Sequence, residues 1–174
     1  TGMVGYTENL TDPSYRGQIL SLTYPLVGNY GVPDRGVLDS FGLPMNFESD
    51  RIHASGLVVS DYVHEHSHWT SASSLGEWMQ EEDVPGISGI DTRALTQKLR
   101  DGGVQVAKIE IEGVNGCEFD DPMSRNLIAE VGNQHKLWNE GGDYRVLMVD
   151  TGLKNNMLRC LVSRGAEVQV VPWN

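Results

Sequence analysis

A chain of 174 residues can hold one medium domain, or a domain and part of another, and its 39% hydrophobic and 21% charged residues suit a globular protein with its own core. A formal net charge of −11 argues against nucleic acid or an anionic membrane surface as the main partner, because both need clustered Lys and Arg. No apolar run approaches the roughly 20 residues that span a bilayer, and no signal peptide is visible.

Residues 1–36 are rich in turn formers, with one short apolar run, Gln18 to Tyr24, that predicts a strand. Within this stretch Asp12-Pro13-Ser14-Tyr15 is a turn motif. Proline fixes one backbone angle, Asp bonds back to the turn, and the Ser14 hydroxyl is presented rigidly. Val32 to Asp50 reads as loop with at most one helical turn, and Ile52 to Tyr62 as a strand. The run His64-Glu65-His66-Ser67-His68 follows. Strand-like alternation would put three imidazoles on one face, as zinc requires; an exposed polar loop explains the same residues without metal. The expectation is no metal site.

Ser74 with Glu77 matches a capping box and predicts a helix burying Leu75, Trp78 and Met79, ended by Pro85-Gly86. Asp91 is the N-cap of a second helix with Leu95 and Leu99 on its buried face, closed by Asp101-Gly102-Gly103. Val104 to Ile111 predicts a strand. Glu112 to Asp143 turns polar and Gly-rich and reads as a connection, with an ordered piece around Leu127 to Val131.

The last segment changes style. Tyr144 to Asp150 is a continuous apolar strand of the kind buried on both faces of a parallel sheet. Lys154 to Arg164 is helical with Met157, Leu158, Leu161 and Val162 on one face, Gly165 ends it, and Glu167 to Val171 is a second strand. One β-α-β unit results. Two parallel strands and one helix cannot cover both faces of a sheet, so further strands are expected beyond Asn174.

The turn Asp150 to Lys154 lacks the glycine pattern of a dinucleotide site or a phosphate loop. Lys154 and Asn155 could favour an anion at the helix start, but the preferred reading makes Lys154 a solvated first-turn residue. Cys160 falls mid-helix and reads as a packing residue; Cys117 lies in the connection with no His close in sequence. Two isolated cysteines fit reduced thiols of an intracellular protein.

Several strings then occur in order. They are Thr1-Gly2-Met3-Val4-Gly5-Tyr6, Leu10-Thr11-Asp12-Pro13-Ser14-Tyr15, Leu22 to Gly31, Gly89 to Arg100, and Asp150-Thr151-Gly152-Leu153-Lys154-Asn155-Asn156. Nearly end to end, the series resembles the small, glutaminase subunit of carbamoyl-phosphate synthase; Phe47-Glu48-Ser49 and the end from Arg164 to Asn174 look like the animal-type, fused versions. The resemblance implies an α/β chain. Residues 1–112, to about 130, would be the mixed β/α small-subunit N-terminal domain without its first strands, 113–143 a connection, and 144–174 the first β-α-β unit of a class I glutaminase domain with an open parallel sheet.

It further implies a Cys-His-Glu triad that frees ammonia from glutamine. A synthetase (large) subunit or domain would use that ammonia with bicarbonate and ATP, with Mg at the synthetase, to make carbamoyl phosphate. No cofactor belongs to this chain. The triad would lie beyond Asn174, so no catalytic residue is expected here and the fragment alone is expected to be inactive. One site residue carries over: Ser14, matching the family serine that contacts bound glutamine. Glutamine and the synthetase are the expected partners, the compartment cytoplasmic or alternatively mitochondrial, and the pathway pyrimidine or arginine synthesis. The alternatives are an ammonia-dependent relative without glutaminase activity and a non-catalytic docking module.

Overall fold

A computed structural model of the chain describes residues 5–113, 118–132 and 136–174. The chain is mixed α/β, with three small sheets and two hydrophobic cores among the described residues. Residues 1–4 of the first recognised string and Cys117 lie outside the described residues.

The first core is built by elements that are individually short. Helix α1 (Tyr6–Leu10) buries Tyr6 and Leu10 completely. Five residues cannot hold a helix by propensity. Here the Tyr30 hydroxyl accepts from the backbone N–H groups of Gly5 and Tyr6 at 3.0 and 2.9 Å, and its ring stacks on Tyr6 at 4.0 Å. Strands β1 (Ile19–Ser21), β3 (Gly56–Val58) and β5 (Gly86–Ile87) form a parallel sheet in the order β1-β3-β5, while β2 (Val32–Pro33) pairs antiparallel with β4 (Ser71–Ser73). The strands expected over 18–24 and 52–62 are thus present but short. The segment 32–50 carries β2 and turns rather than a helical turn.

Helix α2 (Leu75–Glu81) starts as its sequence predicts. The Ser74 hydroxyl accepts from Glu77 N–H at 3.1 Å, and the Glu77 carboxylate accepts from Ser74 N–H at 2.8 Å. Leu75, Trp78 and Met79 are buried beneath it. Ser74→Ala removes the forward half of this box and should cost about 1 kcal/mol, read as a lower urea midpoint at unchanged slope.

Helix α3 (Thr92–Gly102) is capped by Asp91, whose carboxylate accepts from Ala94 N–H at 2.9 Å. Its expected buried face is not buried: only Thr92 is, and Leu99 is 37% exposed. Periodicity reports an apolar stripe, not what covers it. The strand expected over 104–111 is absent; the segment is irregular with Val104 exposed, and Ile109 fits over Gly56, where an added Cβ would meet Ile109 Cδ1 at 2.8 Å.

The connection is more structured than its composition suggests. Helix α4 (Leu127–Val131) falls on the predicted ordered piece, with Asn126 accepting from Ala129 N–H at 3.2 Å. Strand β6 (Lys136–Trp138) then joins the second core's sheet. There β7 (Tyr144–Asp150) and β8 (Ala166–Pro172) pair in parallel over seven residues, with order β6-β8-β7 and β6 antiparallel. Helix α5 (Asn155–Val162) connects them and packs Leu158 on Val168 and Val170. The β-α-β unit is therefore present. Only one face of its sheet is covered: Leu147 is 66% exposed and Val149 half-exposed, so the expectation of a strand buried on both faces is corrected.

Candidate functional site

The candidate site is the turn that carries Ser14. Asp12 caps the 3-10 turn Pro13–Tyr15, its Oδ1 accepting from Ser14 N–H at 2.9 Å. Ser14 itself is exposed, and its hydroxyl has no partner among the described residues. The turn therefore holds a hydroxyl toward solvent on a backbone fixed by proline and by a buried carboxylate.

That same carboxylate reaches across to the second core. Asp12 Oδ2 lies 2.6 Å from Lys154 Nζ. The hydrogen bond from the ammonium to Asp12 raises the Lys154 pKa and keeps it charged, against the opposing effect of burial. Lys154 is thus not the freely solvated first-turn residue that the sequence suggested. Nothing local in the sequence marks this pairing of residues far apart in the chain.

More contacts hold the two cores together. The backbone of Glu48 accepts from Asn155 N–H at 2.9 Å, the Glu48 carboxylate from Asn156 N–H at 2.9 Å, and the Phe47 carbonyl from the buried Asn155 side chain at 3.0 Å. Segment 47–48 thus satisfies the orphan donors at the start of α5 with an acid where the helix dipole favours one. Thr11 ties that segment back to the Ser14 turn, its hydroxyl accepting from Glu48 N–H at 2.9 Å. Arg159 on α5 bonds Asp39 at 2.6 Å and the Pro44 carbonyl. Burial of Asp39 works against its charge, but Arg159 and the backbone donors of Leu43 and Phe41 outweigh it and hold the carboxyl below its usual value.

The β7–α5 turn is shaped for this approach. The fully buried Asp150 accepts from Gly152 and Leu153 N–H groups at 3.0 Å each. Gly152 sits at φ +105°, and a Cβ there would lie 3.0 Å from Val131 Cγ2 and 3.3 Å from Pro13 Cβ. A side chain would be strained twice, by the left-handed backbone and by the Pro13 contact.

Other sequence candidates scatter. His64 lies edge-on to Tyr62, His68 bonds the Thr70 hydroxyl and faces Tyr30, and the Nδ1 of His66 is buried without a partner. Among the described residues no group of three His, Cys, Asp or Glu side chains is placed to hold a metal. Cys160 is exposed, not a packing residue. Its position opposite the Leu158, Leu161 and Val162 face was legible from helical phase. No helix among the described residues is long and apolar enough to cross a membrane.

The comparisons with known proteins agree with the string of motifs. The family model described as carbamoyl-phosphate synthase small chain, CPSase domain, matches residues 1–109. "Carbamoyl-phosphate synthase [ammonia], mitochondrial" of Aquarana catesbeiana is 53% identical over 176 residues, covering 100% of this chain and 12% of that protein. "Carbamoyl phosphate synthase arginine-specific small chain" of Eremothecium gossypii is 46% identical over 100% of this chain and 45% of its own length. "Multifunctional protein URA2" of Saccharomyces cerevisiae is 44% identical over 100% of this chain and 9% of that protein. The chain spans 12% of the length of the mitochondrial relatives it matches.

Proposed function

The chain belongs to the carbamoyl-phosphate synthase small-chain family, and on that premise we propose that it is part of a glutamine-dependent carbamoyl-phosphate synthase, supplying the serine that touches bound glutamine. The observation that carries this reading is the Ser14 hydroxyl, exposed and unpartnered on a turn whose capping carboxylate is also the partner of Lys154. An exposed hydroxyl on a turn fixed by proline and by the Asp12 cap suits a ligand with hydrogen-bonding groups, as an amino acid has. Residues 1–112, to about 130, form the small-chain domain, 113–143 the connection and 144–174 the opening of a class I glutaminase domain. The nucleophilic triad belongs to no residue of this chain. The synthetase is the partner, using ATP and Mg, and the product feeds pyrimidine or arginine synthesis, the latter in line with the "arginine-specific" name of the Eremothecium relative.

A second reading has its own support: the frog relative, 53% identical, is named for ammonia. In an enzyme of that kind the same turn would be present without glutamine hydrolysis, and that relative's compartment favours the mitochondrial alternative. The two readings separate in the full-length parent protein. Carbamoyl phosphate formation is measured with glutamine and with ammonia as nitrogen donor, and the proposal expects both to serve. Formation from ammonia alone would select the second reading. The purified 174-residue chain should release no ammonia from glutamine, and steady release would refute the placement of the triad elsewhere.

A further inference from the structure

A short piece of chain is anchored in both cores. Leu43 is buried in the second and Phe47 in the first, at 5% and 1% exposure. Four residues of chain span at most about 14 Å. Neither core can draw far from the other without pulling one of these side chains out. The segment 39–48 is therefore a strap.

Asp39 shapes one end of it. Its Oδ1 accepts from the N–H groups of Phe41 and Leu43 at 2.8 and 3.0 Å, and its own N–H donates to the Leu43 carbonyl at 2.8 Å. The loop folded in this way is gripped by Arg159 of α5. Nε of Arg159 donates to Asp39 Oδ2 at 2.6 Å, and Nη2 donates to the Pro44 carbonyl. The two side chains of this ion pair are 22% and 16% exposed, so salt and solvent screen it less than a surface pair. The other end of the strap is tied to the Ser14 turn. Glu48 N–H donates to the Thr11 hydroxyl at 2.9 Å, and the Ser49 hydroxyl donates to the Thr11 carbonyl at 2.6 Å.

Lys154 also joins the turn to α5, through Asp12. An ammonium is a point charge on a flexible stem, and alone it leaves the two parts free to pivot. Arg159 comes more than one turn later on the helix, about 7 Å along its axis. Its planar fork engages two acceptors of the strap at once. Two separated contacts on one helix fix an orientation that one contact cannot.

Resting on the reading that Ser14 touches bound glutamine, we infer that Arg159 is a positioning residue for that contact. Through Asp39 and the strap it holds the Ser14 turn at a set distance and angle from the second core. It touches no substrate itself.

The test measures carbamoyl phosphate formation from glutamine and from ammonia in the full-length parent enzyme carrying Ser14→Ala, Arg159→Ala or both. Arg159→Ala should raise the glutamine KM about threefold or more and leave formation from ammonia unchanged. Arg159→Lys keeps the charge and loses the fork, so its KM should fall between those of the unaltered enzyme and Arg159→Ala. Asp39→Asn keeps an acceptor for the loop and loses the charge; it should raise KM in the same direction and carries the test if Arg159→Ala does not fold. Because Arg159 acts through Ser14, the double variant should show a KM close to that of Ser14→Ala alone. An unaltered KM in the folded variants, an equal fall with both nitrogen donors, or effects that multiply in full in the double variant would overturn this inference and leave the Ser14 reading standing. An unaltered KM in Ser14→Ala, or a parent that uses ammonia alone, would overturn both.

Discussion

Trp78→Ala should lower the unfolding free energy by about 3–5 kcal/mol, enough to leave the first core largely unfolded at 37 °C. Trp78 is 1% exposed, the bulkiest fully buried side chain, and meets Phe47 edge-to-face at 5.7 Å and 80°. Phe47 is also the residue whose carbonyl holds Asn155, so losing the indole loosens the contact between the cores as well as α2. The indole carries a cost of its own, because its N–H is buried without a partner. Trp78→Phe removes that orphan donor along with part of the ring, and should cost much less than alanine. Urea unfolding of the three chains checks both statements. Equal losses for Phe and Ala would show that the ring is not packed as described.

Acid should destabilise the fold before its carboxylates protonate. Burial, followed by the nearby charges of Arg51 and Arg16, lowers the His53 pKa from 6.5 to about 4. The unfolded chain then binds a proton at a pH where the folded chain does not. Stability from this residue is complete above about pH 6.5 and is lost as pH falls toward 4, by roughly 3 kcal/mol in all. Asp39 and Glu130, whose folded pKa values are depressed, lose their contributions as pH falls from their ordinary values through the folded ones. His53→Gln should flatten the pH 6.5–4 part of the profile and leave the more acidic part in place. An unchanged slope between pH 6.5 and 4 in the variant would contradict the assignment.

Local chemistry made much of the fold legible. The Ser74–Glu77 box, the Asp91 cap and Gly103, at φ +73°, mark helix ends within a few residues of sequence, and these held. The β7-α5-β8 unit was legible because two adjacent parallel strands and their crossover helix are continuous in sequence. What could not be read depends on distant residues. Helix α1 is held by Tyr30, and β6 earns its strand only by pairing with β8. The exposure of Leu99 and Leu147 shows the converse, since apolar phase says which side wants cover and nothing about what covers it.

The candidate site divides the same way. Asp12-Pro13-Ser14 is a local turn, and the structure shows it with the cap geometry its sequence implied. Lys154 and Asn155 were visible as the start of a helix, but their partners Asp12 and Phe47 are more than a hundred residues earlier. His53 gave no signal at all, sitting in a strand-like run where only burial and the neighbouring arginines distinguish it.

Ser14 is the residue through which this chain would touch bound glutamine. In the full-length parent enzyme, Ser14→Ala is to be compared with the unaltered protein for carbamoyl phosphate formation from glutamine and from ammonia. Loss of one hydrogen bond to bound glutamine should raise the glutamine KM about tenfold while leaving ammonia-dependent formation unchanged. An unaltered glutamine KM, or an equal fall with both nitrogen donors, would contradict a glutamine-contacting role for this turn.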